Sequence, residues 1–325
     1  MRIIVLCCAL LFCLPAVAQL KLGATALPTL VDEDDEPARI NDIVTEAFRR
    51  MDKTVSLEVM RSAFLGSGLL SKQLDGDFAY LDLDEKKSGF VYSRAYLPLY
   101  LFAVSKRESV KEISLLPHLQ DKRIAIENRF ANTDRVRLIK DVKWGRNPTT
   151  FDAFRQLADN RAYYLLTSGL LVDEFNRLLK VENEELLHLS SAPVFSAGFH
   201  LRLRDDVADA RAITMEFGSV VDDMQKDGTF NQLLGIAWLT KDINGDGVAD
   251  YISSKAVPRA TLDETMLAAA YPLDDTQPGT DSVFVIDAKT FTSREEAFGA
   301  LDGVDNVLRM SLLDKEIYQR ILRRW

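Results

Sequence analysis

Short apolar strands alternate with amphipathic helices over most of this chain, from Lys21 to about Trp238. Residues 38–51 place apolar side chains on one face at helical spacing, which predicts a helix. Residues 55–60 and 123–127 are short apolar runs of the kind that form strands. This alternation is typical of βαβ units, so the sequence predicts an α/β protein.

The first eighteen residues have the layout of a secretory signal peptide, with Arg2, an apolar run over residues 3–14 and the small-residue cleavage pattern of residues 16–18. The sequence thus predicts a signal peptide at residues 1–18 and a product in the periplasm or secreted from the cell. No later apolar run approaches the length of a membrane span, so we expect no membrane insertion after signal removal. All three cysteines fall within the signal, which leaves the mature chain without disulfides.

The formal net charge of −9 argues against nucleic acid and anionic membranes as partners. The three histidines are scattered, and the sequence has no Gly-x-Ser-x-Gly nucleophile motif and no glycine-rich phosphate loop. We therefore expect a binding protein and not an enzyme.

A short segment near residue 242 has the spacing of a calcium loop. Oxygen-bearing side chains stand at loop positions 1, 3, 5 and 9, and a glycine that permits a sharp turn stands at position 6. Position 12 is Ser253 where an EF-hand has glutamate, which predicts a weaker site or one completed from elsewhere. The expected Ca²⁺ ligands are Asp242, Asn244, Asp246, the carbonyl of Val248, Asp250 and Ser253. The alternative is a plain hairpin turn, since Asn-Gly and Asp-Gly are strong turn signals.

Several short motifs occur in an order that has a known parallel. They are Asp75-Gly76-Asp77-Phe78-Ala79, Glu85-Lys86, Phe90-Val91-Tyr92-Ser93-Arg94-Ala95-Tyr96, Lys122-Arg123-Ile124-Ala125-Ile126 and Lys226-Asp227-Gly228-Thr229. Together they resemble the family 3 extracellular solute-binding proteins, which have the type II periplasmic binding fold. The resemblance covers about two thirds of the chain and implies two α/β lobes that close on a small polar solute, for an inner-membrane transporter or a receptor.

Mapped on this sequence, the resemblance implies a solute-binding-like domain over residues 19–240. Lobe one would comprise residues 20–104 and 196–238, and lobe two residues 108–192. Residues 241–253 would then form the calcium loop.

Three anchors that bind an α-amino acid in that family are altered. Lys86 stands where the resemblance implies a carboxylate-binding arginine, Thr167 where it implies an acid, and Asn128-Arg129 where it implies an anion loop. Since lysine is a point charge and not a bidentate fork, carboxylate recognition would be looser, and we expect a ligand other than a standard amino acid. The predicted ligand-binding residues are Tyr80, Asp82, Lys86, Tyr92, Arg94, Tyr96, Asn128, Arg129 and Thr167. For Tyr92 and Tyr96 core packing is the alternative, and for Lys86 and Arg129 it is a surface charge or ion pair.

Residues 254–325 exceed what the resemblance requires and predict a small α+β C-terminal extension. Strands are expected at 282–286 and 307–313, and helices at 293–301 and 315–324, the former opened by the capping box from Ser293 to Glu296. We expect the extension to pack on the binding domain, with the calcium loop at the junction.

Two other functions remain open from the sequence. One is a non-transport interaction or sensor module, in which the cleft has degenerated and Ca²⁺ stabilises a docking surface. The other is a periplasmic enzyme on the same fold, with Asp82 or Glu127 as a general acid or base.

Overall fold

The computed structural model describes residues 19–32, 37–259, 262–304, 309–313, 316 and 325. The predicted signal peptide and the predicted helix at 315–324 lie outside these residues except at 316. Within them the expected mixture of strands and helices is confirmed.

The described residues form two sheets. The strands of the larger sheet are β1 (Leu20–Ala24), β2 (Val55–Val59), β3 (Gly76–Leu81), β4 (Phe90–Tyr92), β5 (Leu97–Ser105), β6 (Arg123–Glu127), β7 (Lys143–Asn147), β8 (Tyr164–Ser168), β9 (His188–Leu189) and β10 (Phe195–Arg204). Those of the smaller sheet are β11 (Trp238–Lys241), β12 (Val248–Ser253), β13 (Tyr271–Pro272), β14 (Gln277–Pro278), β15 (Phe284–Ile286) and β16 (Lys289–Phe291).

Ten α-helices occur in the described residues. They are α1 (Arg39–Arg50), α2 (Ser62–Leu70), α3 (Asn128–Ala131), α4 (Asp134–Arg137), α5 (Thr150–Ala158), α6 (Gly169–Val181), α7 (Ala210–Lys226), α8 (Thr229–Leu234), α9 (Glu264–Ala268) and α10 (Arg294–Ala300). Short 3-10 turns lie at Glu108–Glu112 and Leu116–Leu119.

The larger sheet has the order β2-β1-β3-β10-β5-β8-β6-β7. β1 runs parallel to β2 and β3, and β6 runs parallel to β7 and β8. Between these parallel halves lie the long strands β10 and β5, which are antiparallel to each other and to their outer neighbours. The two halves are the two lobes, and β5 and β10 are the strands that join them.

The sheet is covered by helices that follow its strands, as the apolar spacing of the sequence predicts. Ile40, Val44 and Phe48 of α1 are fully buried against lobe one. In lobe two, Phe154 of α5 and Phe175 of α6 stack with ring centroids 4.7 Å apart. Burial of such apolar surface is the main stabilising contribution to each lobe.

The smaller sheet belongs to the C-terminal extension but begins earlier than the sequence predicts. β11, expected at the end of lobe one, forms an antiparallel hairpin with β12, and β15 pairs parallel to β12. Trp238, which starts β11, is buried against the rings of Phe284 and Phe298. The strand predicted at 307–313 is wrong over its described part, since residues 309–313 have no strand partner.

A buried ion cluster joins the lobes and the extension. Glu174 of α6 is fully buried and accepts hydrogen bonds from the guanidinium groups of Arg39, at the start of α1, and Arg309. Arg39 Nε also donates to the carbonyl oxygen of Leu234 at 2.7 Å, and the amide of Leu312 donates to Glu174 at 2.8 Å. The cluster therefore fastens lobe one, lobe two and the extension at one point.

The carboxyl group of Glu174 stays charged although it is buried. Burial alone would raise its pKa, but the hydrogen bond from Arg309 and the charges of Arg39 and Arg309 outweigh it and lower the pKa to about 2. The two guanidinium groups would in turn lack a counter-charge if this carboxylate were removed.

Replacement of Glu174 by Gln should destabilise the fold strongly. Removing one member of a buried ion cluster leaves the other charges uncompensated and costs about 3–5 kcal/mol. The free energy of unfolding from denaturant titration at pH 7 measures this loss. Lys180→Gln, at an exposed position of the same helix, is the control and should change stability by less than about 0.5 kcal/mol. Equal effects of the two substitutions would contradict the role given to the cluster.

The same cluster predicts an acid limb in the stability of the wild type. Because the pKa of Glu174 is about 2 in the folded state and lies near 4.5 ordinarily, its contribution is present above about pH 4.5. It is lost as the pH falls from there towards 2. Denaturant titrations at pH 7, 4 and 3 should therefore show the difference between wild type and Glu174→Gln shrinking as the pH decreases. A difference that is constant with pH would contradict this assignment.

Candidate ligand-binding site between the lobes

The carboxyl ends of the parallel strands of both lobes face the same junction, which is where open α/β sheets bind ligands. Arg129, in the turn of helix that follows β6 in lobe two, reaches the loop that follows β1 in lobe one. Its guanidinium group donates to the carbonyl oxygens of Thr25, at 3.5 Å, and Ala26. Its Nε lies 3.2 Å from a carboxylate oxygen of Glu127, whose other oxygen accepts from the Thr150 hydroxyl at 2.5 Å. Arg129 thus bridges the lobes.

A second set of contacts crosses the junction at α4. The amide of Asp134 donates to the Asp84 carboxylate at 2.9 Å, and the amide of Arg135 donates to the Leu83 carbonyl at 3.3 Å. The guanidinium of Arg135 donates to the carbonyl of Ser196 at 2.9 Å. The lobes are therefore held together by the chain's own polar groups.

Asp82 lies at the lobe-one side of this junction with a side chain that is 36% exposed. One oxygen accepts from the amide of Gly198 at 2.7 Å, and the other lies 3.4 Å from Nε2 of His200. Burial opposes ionisation of Asp82, but the hydrogen bonds from His200 and Gly198 lower its pKa. His200 Nδ1 lies 2.7 Å from the Ser93 carbonyl, which requires a proton on Nδ1. The exposed part of the Asp82 carboxylate is a charged acceptor for a ligand.

Three of the predicted ligand-binding residues, Tyr80, Tyr92 and Lys86, come together near Asp82. The two rings lie 5.1 Å apart, and the ammonium of Lys86 lies 5.3 Å from the ring centroid of Tyr92. On the other side, the guanidinium of Arg202 lies 4.6 Å from the ring centroid of Tyr80. The four side chains form a row in the order Lys86, Tyr92, Tyr80 and Arg202. Both ends of the row are cations, so each tyrosine ring packs against a positive charge of the protein itself.

Three of the predicted ligand-binding residues have structural roles. Tyr96 is 2% exposed and donates its hydroxyl to the Phe78 carbonyl at 2.6 Å, so the core alternative applies to it. Arg94 pairs with Asp222 and the Gly218 carbonyl of α7, on lobe one. Thr167 is buried in β8, opposite Phe102. Asn128, the first residue of α3, lies beside Arg129 at the junction and is partly exposed.

The contacts of Arg135 and of the Thr25 and Ala26 carbonyls were not predicted. No spacing in the sequence indicates them, because each depends on how closely the two lobes approach.

The predicted calcium loop forms the turn of the β11–β12 hairpin. The Asp242 carboxylate accepts from the amides of Gly245 at 2.6 Å and Gly247 at 2.9 Å, and both glycines have positive φ. These amide hydrogen bonds lower the pKa of Asp242, and the amide of Gly247 contributes most to that shift. Asn244 and Asp246 accept in the same way, from the amides of Asp246 and Val248. The loop therefore turns three oxygen-bearing side chains inward.

The other expected metal ligands have partners outside the turn. Asp250 is fully buried on β12 and accepts from the amides of Ile243 and Val283. Ser253, at the far end of β12, donates to the Ala237 carbonyl at 2.6 Å, so its hydroxyl does not face the loop. In the described part of the chain no three His, Cys, Asp or Glu side chains are grouped closely enough to hold a metal ion. The side-chain oxygen atoms of the turn are of the kind that bind Ca²⁺. The buried side chains of Asp250 and Ser253 do not join them as ligands.

Comparison with known proteins identifies the fold. No protein-family model matches this chain, and a search of curated proteins found no relative. Among solved structures, the GluR0 ligand-binding core in complex with L-glutamate has a TM-score of 0.56 at 10% identity, over 67% of this chain and 97% of that one. A mutant of ArgBP from T. maritima gives 0.52 at 21% identity, over 66% and 93%. The periplasmic VFT2 domain of Bordetella pertussis BvgS gives 0.53 at 13% identity, over 66% and 92%.

The chain has the two-lobed type II periplasmic binding fold, as its sequence predicts. The matched proteins span about two thirds of it. In the described residues no helix is long and apolar enough to cross a membrane.

Replacement of Arg129 by Ala should loosen the junction. Hydrogen bonds made by a charged group contribute about 1.5–3 kcal/mol, and Arg129 makes its bonds across the lobes. We expect a lower free energy of unfolding and a larger radius of gyration in solution scattering. Arg137→Ala, at an exposed position of α4 in the same lobe, is the control and should alter neither quantity. A radius of gyration that is unchanged in Arg129→Ala would show that Arg129 does not hold the lobes together.

Proposed function

We propose that this chain is a periplasmic or secreted solute-binding domain that captures a small polar molecule between its lobes. The observation that supports this most is the convergence of polar groups from both lobes on the junction at Arg129. The Glu127 carboxylate comes from lobe two, and the Thr25 and Ala26 carbonyls come from lobe one. A ligand that replaces or extends these contacts would stabilise the closed arrangement, which is how hinged lobes respond to a ligand.

The chemistry of the junction favours a ligand other than a zwitterionic amino acid. The cation at the predicted carboxylate position, Lys86, packs over Tyr92, and Thr167 is buried with no charge to bind an ammonium group. The matched structures include complexes with L-glutamate and with L-arginine, and their likeness to this chain extends to the fold. The domain would deliver its solute to an inner-membrane transporter or present it to a receptor.

A ligand panel tests this proposal. The purified chain from residue 19 onwards should melt at a higher temperature with one class among amino acids, sugars, polyamines and organic acids, because a ligand that binds only the folded state stabilises it. Asp82→Asn should reduce the shift, since it removes the exposed charge at the junction. Asp281→Asn, an exposed acid in the extension, should leave the shift unchanged. A panel with no shift in any class would contradict capture of a small solute of these kinds.

A sensor or interaction module is the second candidate, and the buried Arg39–Glu174–Arg309 cluster favours it. Contacts of this kind hold the lobes together without a ligand. For such a module, the panel would give no shift and solution scattering would show a compact particle throughout. A compact particle that also responds to one solute class would favour the first candidate.

Residues 242–248 would hold Ca²⁺ in either case, through Asp242, Asn244, Asp246 and the Val248 carbonyl. The ion would supply charge neutralisation at the hairpin that starts the extension. The Asp-to-Ala double substitution at 242 and 246 should abolish any rise in melting temperature that Ca²⁺ gives to chelated protein. The double substitution Asp281→Ala with Asp302→Ala is the charge-matched control, because both carboxylates are exposed and lie outside the turn. Equal Ca²⁺ shifts in both variants would sink the site.

A further inference from the structure

A cavity of about 550 Å³ lies where the C-terminal extension covers the strands that join the lobes. One wall is β5, the start of α6 and the segment before β10. The other wall runs from the end of α9 to β14. The residues that line the cavity include Tyr100, Phe102, Leu170, Asp173, Tyr271 and Asp275. None of the polar groups that converge at the interlobe junction lines this cavity.

Two tyrosines attach the extension to β5 at this place. The hydroxyl of Tyr271 donates to the Pro98 carbonyl at 2.7 Å, and the hydroxyl of Tyr100 donates to the Pro272 carbonyl at 3.2 Å. Their rings meet edge to face, with centroids 5.5 Å apart. Because both hydroxyl groups have protein partners, the rings offer the cavity only aromatic surface. Phe102 and Leu170 add to this apolar lining.

Every charged side chain that lines the cavity is a carboxylate: Asp173 from α6, and Asp274 and Asp275 from the extension. Asp274 accepts from the amides of Asp242 and Thr276. In the described residues no lysine or arginine lies within ion-pair distance of the three, but the charges of Arg177, Arg39 and Arg309 act on Asp173 and partly offset the effect of burial, which raises its pKa.

The carboxylates flank the aromatic pair from both sides. Burial raises the pKa of Tyr100 to about 12, and the charges of Asp275 and Asp274 add to that rise. Burial likewise raises the pKa of Tyr271; Tyr100 and Asp173 add to that rise, and the positive charge of Arg39 opposes it. The negative charge of both walls therefore acts on the same ring pair.

We propose that this cavity binds an organic ammonium ion with an aliphatic chain, such as an alkylamine or a diamine. The ammonium group would lie against the carboxylates and the aromatic edge-to-face pair, and the alkyl chain would cover the apolar lining. Along this lining an anion would contact only side chains of like charge. A bare metal ion would not find its ligands gathered, since the described acids form no metal-sized group. An elongated cation matches both the separated charges and the apolar surface between them.

The experiment is calorimetric titration of the chain from residue 19 onwards with n-butylamine and with putrescine, at pH 7 and low salt. Butyrate, which has a similar alkyl chain and the opposite charge, is the matched control ligand and should not bind. Asp173→Asn and Asp275→Asn should each weaken amine binding about tenfold or more. Asp173 and Asp275 are both exposed to solvent, so these variants should fold. Asp281→Asn lies outside the cavity and should bind as the wild type does.

Two further variants separate this cavity from the interlobe junction. Ala269→Phe places a ring in the cavity from an exposed position and should abolish amine binding. Arg129→Ala alters the junction and should leave amine binding unchanged. The proposal is overturned if neither amine binds, if butyrate binds equally, or if Asp173→Asn and Asp275→Asn both retain wild-type affinity. Amine binding that is lost in Arg129→Ala and kept in Ala269→Phe would place the amine at the junction, which also overturns it.

Discussion

The buried carboxylate of Glu174 is the point on which the arrangement of this molecule depends. Two lobes linked by long strands could rotate about those strands, and a C-terminal segment could detach. Glu174 accepts from Arg39 of lobe one and Arg309 of the extension while lying on α6 of lobe two. A buried ion cluster of this type stabilises a fold little more than apolar packing would. The loss of one partner, however, leaves a buried charge uncompensated and is strongly destabilising. The cluster therefore specifies which surfaces meet more than it strengthens their contact.

At the junction between the lobes, polar groups of the chain likewise determine which surfaces meet. Arg129 supplies a cation to carbonyl oxygens that a solute would otherwise meet, and α4 supplies amides to Leu83 and Asp84. A ligand must compete with these internal groups or add to them. For the proposed solute, the affinity would therefore be set by the difference in free energy between the junction with the solute and the junction with its internal contacts.

The sequence predicted the fold well because strand and helix periodicity are local. Residues 38–51 are helical as predicted, apart from their ends. The runs at 55–60 and 123–127 form the expected strands β2 and β6. The way in which the two lobes meet depends on residues far apart in the sequence. The contacts of Arg135 and the partners of Glu174 therefore could not be predicted from the spacing of residues.

Aromatic residues were the least predictable part of the candidate site. Tyr92 and Tyr96 are separated by three residues, yet Tyr96 is a core residue and Tyr92 stacks at the surface. The irregular segment at 93–96, between β4 and β5, interrupts the alternation of faces on which a strand prediction depends. In the extension, β13 and β14 are too short to leave a periodic signal. The strand expected at 307–313 is absent over its described residues. The strand that pairs with β15 is β16 instead.

The position of Trp238 has a consequence for how this protein can be divided. Its ring is buried by Phe284 and Phe298, yet it follows α8 of lobe one by only a few residues. Asn231 of α8 donates to the carbonyls of Ile236 and Ile252, so the helix is also bonded to β12. A binding domain cut after residue 240 would expose the indole of Trp238 and remove the Ile252 carbonyl, one of the acceptors of the Asn231 amide. The extension therefore shares part of its core with lobe one, and a truncated form that ends at the lobes would begin with a defect in that core.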